Sequence, residues 1–457
     1  MTQPAEKPRR REPTPREGHR VSPVVSRLGP IARTGVVAAR GSTSTMEFQP
    51  RPVPAGRGLA ALRHRNFRLF WSGQIVSLVG TWMQTVAQSW LVLELSGSAF
   101  TLGVVTALQF LPILIFSMLG GVVADRLPKR PILLATQSSS MLLAFVLAGL
   151  TQSGLVQILH VFILAALLGL VNAVDMPTRQ AFVVELVGAR DLRNAIALNS
   201  AAFNSARLIG PAVAGLAIGW VGIAGCFFIN GLSFLAAIAS LVFVSAGERP
   251  VLRPVEGGSV WEDLREGLVF VARTPALRLI VLLIAVVGTF GMNLSVLVPV
   301  FARDVLNLGA EGYGFLSSFM GLGSLAAALL LAFLGARPRR WLVLGAAAAF
   351  GVLQMALLVV GTFAFAAPLL AGVGFTMILF TTLGNTVLQI STPDALRGRV
   401  MSVYTTVFAG TTPIGSLFAG GIAETWSVGG AFFVGGLISV AAAAFVYLLS
   451  LRQPRRR

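Results

Sequence analysis

Asp125, Arg126, Lys129 and Arg130 form an Asp-Arg-x-x-Lys-Arg cluster that follows Gly121 and stands between two apolar segments, each long enough to be a membrane span. A carboxylate and three cations where two helices meet can cap free helix amides and pair with charges on neighbouring helix ends. A second pattern is a polar stripe, Gln74, Ser77, Thr81, Gln84 and Gln88, recurring on one face of an otherwise apolar helix. Such a face turns away from lipid. It is read here as the lining of a water-filled cavity, with hydrogen-bond glue between helices as the alternative. Asn385, on a later helix with Thr382 and Gln389, repeats the idea.

Arg207 is the sharpest anomaly, because it falls near the middle of an apolar segment, with Asn204 one turn away. An unpaired guanidinium there costs at least ~2.5 kcal/mol, so it must meet an acid, carbonyls, water or an anionic substrate. A substrate or proton-gate role and a structural polar knot both fit. Directly after it, Gly210, Pro211 and Gly215 allow close backbone approach and a bend. The acids near the membrane stand at span ends: Glu94, Asp125, Asp175, Glu185, Asp304, Glu311 and Glu424. Glu94 terminates the polar stripe and is the first candidate for carrying a proton; a plain solvent-facing cap is the other reading.

No nucleophilic triad, nucleotide loop or dinucleotide fingerprint is present, so no enzyme is expected. A single cysteine, Cys226, and scattered His19, His64 and His160 leave no metal constellation, and no cofactor is expected. What positions the polar residues is the bilayer. Hydrophobic residues make up 55% of the chain and charged ones 12%, with a mean hydropathy of +0.79, whereas a soluble domain carries roughly 25% charged residues. The formal charge of +18 is concentrated in tails and loops, which suits anionic lipid and excludes a nucleic-acid role.

Twelve apolar stretches of about 20 residues lie between residues 68 and 450. The expected fold is all-α, twelve transmembrane helices in two six-helix halves. The expected organisation is a disordered basic tail (1–60), a first half (61–246), a cytoplasmic linker with an amphipathic helix carrying Trp261, Leu264, Leu268 and Val271 on one face (247–277), a second half (278–451) and a basic tail (452–457). With the N-terminus inside, the inner loops hold 16 Lys/Arg and the outer loops one, Arg303; this predicts a multi-pass protein of the inner membrane with both termini cytoplasmic. Echoes between the halves, such as Arg63 and Arg68 against Arg273 and Arg278, indicate a parallel repeat.

The Gly121 to Arg130 cluster resembles the loop between helices 2 and 3 of major facilitator superfamily transporters, Gly-x-x-x-Asp-Arg-x-Gly-Arg-Lys, with Pro128 where the motif has Gly. Gly210-Pro211 and Gly215 resemble the helix 5 motif of antiporters in that superfamily. The stretches 175–187, 194–200, 206–211 and 397–402 are similar to the branch that includes enterobactin exporters and macrolide efflux proteins. The resemblance implies proton-coupled export of a small apolar or amphipathic molecule by alternating access, by a monomer whose partners are that substrate, protons and the lipid bilayer. An importer or lipid flippase on the same fold is the alternative, a non-transporting sensor the remote one. It also implies that Gly121, Asp125, Arg126, Lys129, Arg130 and Asp175 form a cytoplasmic gate, in which Asp125 caps the N-terminus of helix 11 near Arg399 to Met401 in the outward-facing state and Lys129 pairs with Asp175.

Overall fold

The structure is a computed structural model that describes residues 59–244, 260–334 and 339–451. The expectations for both tails and for most of the linker before residue 260 lie outside the described residues. Ten described helices are long and apolar enough to cross a membrane. One of them, 190–243, is two spans divided at Gly222. A further helix, Arg65–Ser96, reaches the length of a span but carries the polar stripe, and with it the described spans number twelve.

In chain order these are α1 (Arg65–Ser96), α2 (Ala99–Arg126), α3 (Lys129–Gln152), α4 (Ile158–Gly188), α5 (190–221), α6 (223–243), α7 (Pro275–Asp304), α8 (Ala310–Leu334), α9 (Arg340–Ala356), α10 (Phe363–Ile390), α11 (Asp394–Thr425) and α12 (Val428–Leu451). No strand occurs among the described residues. In lipid every backbone group must be satisfied within its own segment, so helices are the expected solution. The α4–α5 and α5–α6 corners are tight: each turns at one glycine of positive φ, Gly188 (70°) and Gly222 (72°), a conformation that a Cβ would disfavour.

The linker helix Val260–Arg273 is present as expected. Its inward face is rotated from the predicted one: Val271 is buried but Leu268 is exposed. The reason is that Gly267 lets the helix lie against the Arg399 carbonyl of α11, and Glu266 pairs with Arg399 beside it.

The first half (α1–α6) and second half (α7–α12) meet along α2 with α11 and α5 with α8. Small residues permit these approaches: a Cβ on Gly314 would come 2.6 Å from the Pro211 carbonyl, and one on Gly420 would come 2.8 Å from that of Ala99. One end of the bundle carries Arg126, Lys129, Arg130, Arg190, Arg193, Arg340, Arg397 and Arg399; it is called the basic end below, and the opposite end the far end.

Candidate functional site

At the basic end the Asp125 cluster is held by a two-residue turn, Leu127–Pro128, between α2 and α3. Pro128 has φ −58° and serves as the N-cap position of α3, so proline's fixed φ suits the turn. Arg130 donates from Nε to the Leu241 carbonyl at 2.7 Å and from Nη2 to that of Val242 at 2.8 Å. It thereby neutralises the C-terminal pole of α6. Lys129 corrects the expectation: its Nζ lies 2.8 Å from Glu185 Oε1, not at Asp175. Asp175 is buried and instead accepts from Thr136 Oγ1 at 2.6 Å, Gln137 Nε2 at 2.9 Å and the Arg179 guanidinium at 2.5 Å. The cause is helix length. The expected span ended near residue 176, whereas α4 runs to Gly188, leaving Asp175 about 20 Å above its end at 1.5 Å per residue.

Asp125 itself is exposed and makes no hydrogen bond or ion pair with a described residue. Neither Gly121 on α2 nor Gly398 on α11 has anything within 4 Å of where a Cβ would stand, so neither glycine makes a close approach to the opposite half. α11 also starts earlier than expected, at Asp394. Its free amides belong to the turn from 394 onward, and those of Arg399 to Met401 lie inside the bonded helix.

The far end is the reverse. Glu424, at the last turn of α11, accepts through Oε2 from the Ala99 amide at 2.8 Å and the Phe100 amide at 3.4 Å. The third amide of α2, Thr101, bonds to its own N-cap Ser98 at 3.1 Å. Arg303, at the end of α7, donates to the Leu93 carbonyl at 3.1 Å and the Gly97 carbonyl at 2.9 Å, the C-terminal pole of α1. An anion on a helix N-terminus and a cation on a helix C-terminus are both the favoured polarity. The second half thus clamps the α1–α2 corner by charge. Sequence reasoning noticed Glu424 and Arg303 as outliers without assigning them this task; the signal was that Arg303 alone breaks the loop charge rule.

The polar stripe corrects a second expectation. Gln74, Ser77, Gln84 and Gln88 are buried within the first half. Gln84 Oε1 accepts from Asn230 Nδ2 of α6 at 2.6 Å, and Gly73 and Gly80 of α1 rest on Ser240 and Ser233 of α6. Gln74 and Gln137 line a void of 10 Å³ beside Arg179, about the room of one water. Gln84 thus bonds α1 to α6, while Gln74 Oε1 is buried without a partner. Thr81 alone is exposed, its hydroxyl donating to the Ser77 carbonyl at 2.8 Å.

Arg207 lies where the halves meet. Its Cζ is 5.7 Å from the centroid of Trp82 on α1, and Nη2 is 3.8 Å from Met377 Sδ on α10. Trp82 is set edge-on against Phe203 at 5.6 Å. Arg207 Nε is buried without a partner, and no acid or carbonyl accepts from the guanidinium among the described residues. Asn204 is half-buried and spends its amide on the Ser200 carbonyl of its own helix at 2.8 Å. Beyond it, Gly210 packs on Trp82, and Pro211 and Gly215 face Gly314 and Glu311 of α8. The helix 5 motif is therefore a contact surface on both sides. Asn385, on α10, accepts from Gln389 Nε2 at 2.5 Å and is hydrogen-bonded with Tyr404 of α11.

Glu94 is exposed at the far end and accepts from Trp90 Nε1 at 2.8 Å. That is the solvent-facing cap and leaves it outside any dry chamber. Sequence reasoning also missed that α7 breaks between Phe290 and Leu294. The break is satisfied from outside: Gln354 Nε2 of α9 donates to the Gly291 carbonyl at 2.6 Å, and Asn293 Nδ2 returns to the Thr289 carbonyl at 2.7 Å.

Residues 56–456 match the model of the family described as transmembrane secretion effector. The staphyloferrin A transporter of Staphylococcus aureus is 25% identical over 398 residues, 84% of this chain and 96% of that protein. The multidrug efflux pump Tap of Mycolicibacterium fortuitum is 28% identical over 76% of this chain and 86% of its own. The enterobactin exporter EntS of Shigella boydii is 24% identical, with 86% and 94% covered. Among solved structures, the nucleoside transporter NupG superposes with a TM-score of 0.70 at 11% identity, covering 85% of this chain and 100% of that one. A bacterial homologue of the human lysosomal transporter Spinster, inward-facing and unoccupied, gives 0.65 at 15% identity, covering 85% and 95%. A match of nearly the whole chain to the secretion-effector model, on a twelve-helix fold shared with these transporters, settles the family: this chain belongs to the transmembrane secretion effectors of the major facilitator superfamily.

Proposed function

We propose that the protein exports a small, largely apolar or amphipathic molecule across the inner membrane by alternating access, with both termini and the basic end in the cytoplasm. One observation carries the reading. The halves are clamped by charge at the far end, and the interface between them holds a buried, under-satisfied Arg207 with Trp82, Phe203 and Met377. A polar site at the junction of two repeats is the architecture of a secondary carrier. The names of the relatives, a siderophore transporter, a multidrug pump and a siderophore exporter, support a small-molecule substrate, and the 16 to 1 loop asymmetry supports the orientation.

Proton coupling would need a carboxylate whose protonation follows the opening and closing of the chamber. Glu94 is open to solvent, and Asp175 is already ion-paired with Arg179. Glu94 accepts from Trp90, which stacks on Tyr313 of the second half, and Asp175 lies within the first half. The function is tested by expressing the protein in cells stripped of their own pumps and following a panel of labelled amphipathic compounds. Faster loss of a compound is expected; faster accumulation would reverse the direction. Reporter fusions at Gly154 and Gly257 should read outside and inside, and the same sign at both would overturn the topology.

A further inference from the structure

We infer that the substrate carries an anionic oxygen group, such as a carboxylate, and that Arg207 is its counter-ion. This rests on the transport reading above and adds the chemical class. Arg207 stands midway along α5, touching both halves. A guanidinium has five N–H donors in a planar fork. Of these, one meets a thioether sulfur, a weak acceptor, and the buried Nε meets nothing. The remaining contact is the face of Trp82, which attracts the charge without accepting a directed bond from the fork.

No acid pairs with Arg207 among the described residues. Glu94, Asp125 and Glu424 lie in last turns, Glu311 in a first turn, and Asp304 at the end of α7; Asp175 belongs to Arg179. Arg207 therefore places a positive charge at the junction of the halves that no described acid pairs with. A cationic substrate would be repelled by it. A carboxylate would accept two parallel bonds from the fork and relieve a guanidinium that burial leaves under-satisfied. Trp82, Phe203 and Met377 offer the apolar walls for the rest of the molecule.

A corollary concerns energy. In a cell that is negative inside, the exit of one negative charge is favoured about fifty-fold per 100 mV of membrane potential. An anion exporter can run on that potential alone. It needs no proton-carrying acid in the chamber, which agrees with the placement of Glu94 and Asp175.

The test uses the full chain, purified and reconstituted, with three matched probes: naphthylacetate, its neutral amide naphthylacetamide, and the cation naphthylmethylammonium. We expect the anion to bind about tenfold or more tightly than the amide, and the cation least. Arg207→Gln should abolish the preference of anion over amide, and Arg207→Lys should retain part of it, since the charge stays and the fork is lost. In proteoliposomes held inside-negative with valinomycin and a potassium gradient, anion efflux should accelerate and amide flux should not. Equal binding of anion and amide by the wild type, or an undiminished preference in Arg207→Gln that binds the amide normally, would overturn the inference. Protein-dependent flux of the amide without anion preference would overturn the inference and leave transport standing. Arg207-dependent anion binding with no flux of any probe would do the opposite.

Discussion

The two ends of the α2–α11 pair are built from the same parts and stand in opposite states. α2 ends at the basic end with Asp125, and α11 begins there; α11 ends at the far end with Glu424, and α2 begins there. Each helix thus carries an acid beside the other's N-terminal pole. At the far end the acid is docked, with Glu424 on the amides of Ala99 and Phe100. At the basic end Asp125 is exposed and makes no hydrogen bond with a described residue. A rigid half that rocks against its partner cannot close both ends together, so the difference between two capping energies biases the equilibrium. Arg303 gives the far end a second bond, on the C-terminal pole of α1, for which Asp125 has no counterpart among the described contacts.

The comparison breaks most severely at Asp125. Asp125→Asn removes the charge that would cap α11 once the basic end closes, and a charged cap in a partly buried setting is worth ~2 kcal/mol. Transport should fall by about tenfold or more, with substrate affinity within a few-fold, because Asp125 stands in the last turn of α2, away from Arg207. Flux and binding measured on the same reconstituted protein decide it; normal flux at matched protein content would remove Asp125 from the cycle.

Glu424→Gln acts on the end that is already closed. Loss of the cap charge should cost about 1 kcal/mol, shifting the equilibrium roughly fivefold toward opening of the far end. Spin labels at Leu95 and Trp426, both on the surface beside the clamp, should show a growing longer-distance population. Native Cys226 is buried and serves as a quiet background. An unchanged distance distribution would mean that packing of Gly103 and Gly420, not charge, closes this end. Arg303→Lys sharpens the same point at lower amplitude: the charge remains at the α1 pole, but two carbonyls can no longer share a planar fork. A shift smaller than that of Glu424→Gln is expected with the same labels, and a larger one would make Arg303 the principal clamp.

How far these sites were legible in the sequence depends on what kind of constraint marks them. The twelve spans could be read because hydrocarbon imposes a length and a composition on each of them. The stripe on α1 was read as facing a cavity because polarity says only that a face avoids lipid. Which neighbour it meets was encoded elsewhere, in Gly73 and Gly80 opposite Asn230, Ser233 and Ser240 of α6. The break in α7 left no mark on hydropathy, since its compensation comes from Gln354, more than sixty residues away. Arg207 was legible as an anomaly, because a lone charge in an apolar run is costly wherever it ends up, but its neighbours Trp82 and Met377 lie on other helices.

The smallest expected effect lies inside the basic end itself, at the Lys129–Glu185 pair. This bond joins α3 to α4 within the first half, so it is made whichever way the halves lean and should not enter the difference between the two ends. Lys129 is 9% exposed and Glu185 39%. A pair with one partner this open to solvent is worth at most ~1 kcal/mol, since water screens it. Glu185→Gln should therefore lower thermal stability in detergent slightly, and leave both the transport rate and the far-end distance distribution within about twofold of wild type. The contrast with Asp125→Asn, two positions of one charged cluster, then separates a residue that holds a half together from one that acts between halves. If Glu185→Gln slowed transport as much as Asp125→Asn, the Lys129 pair would have to form and break during the cycle, and the first half could no longer be treated as a rigid body.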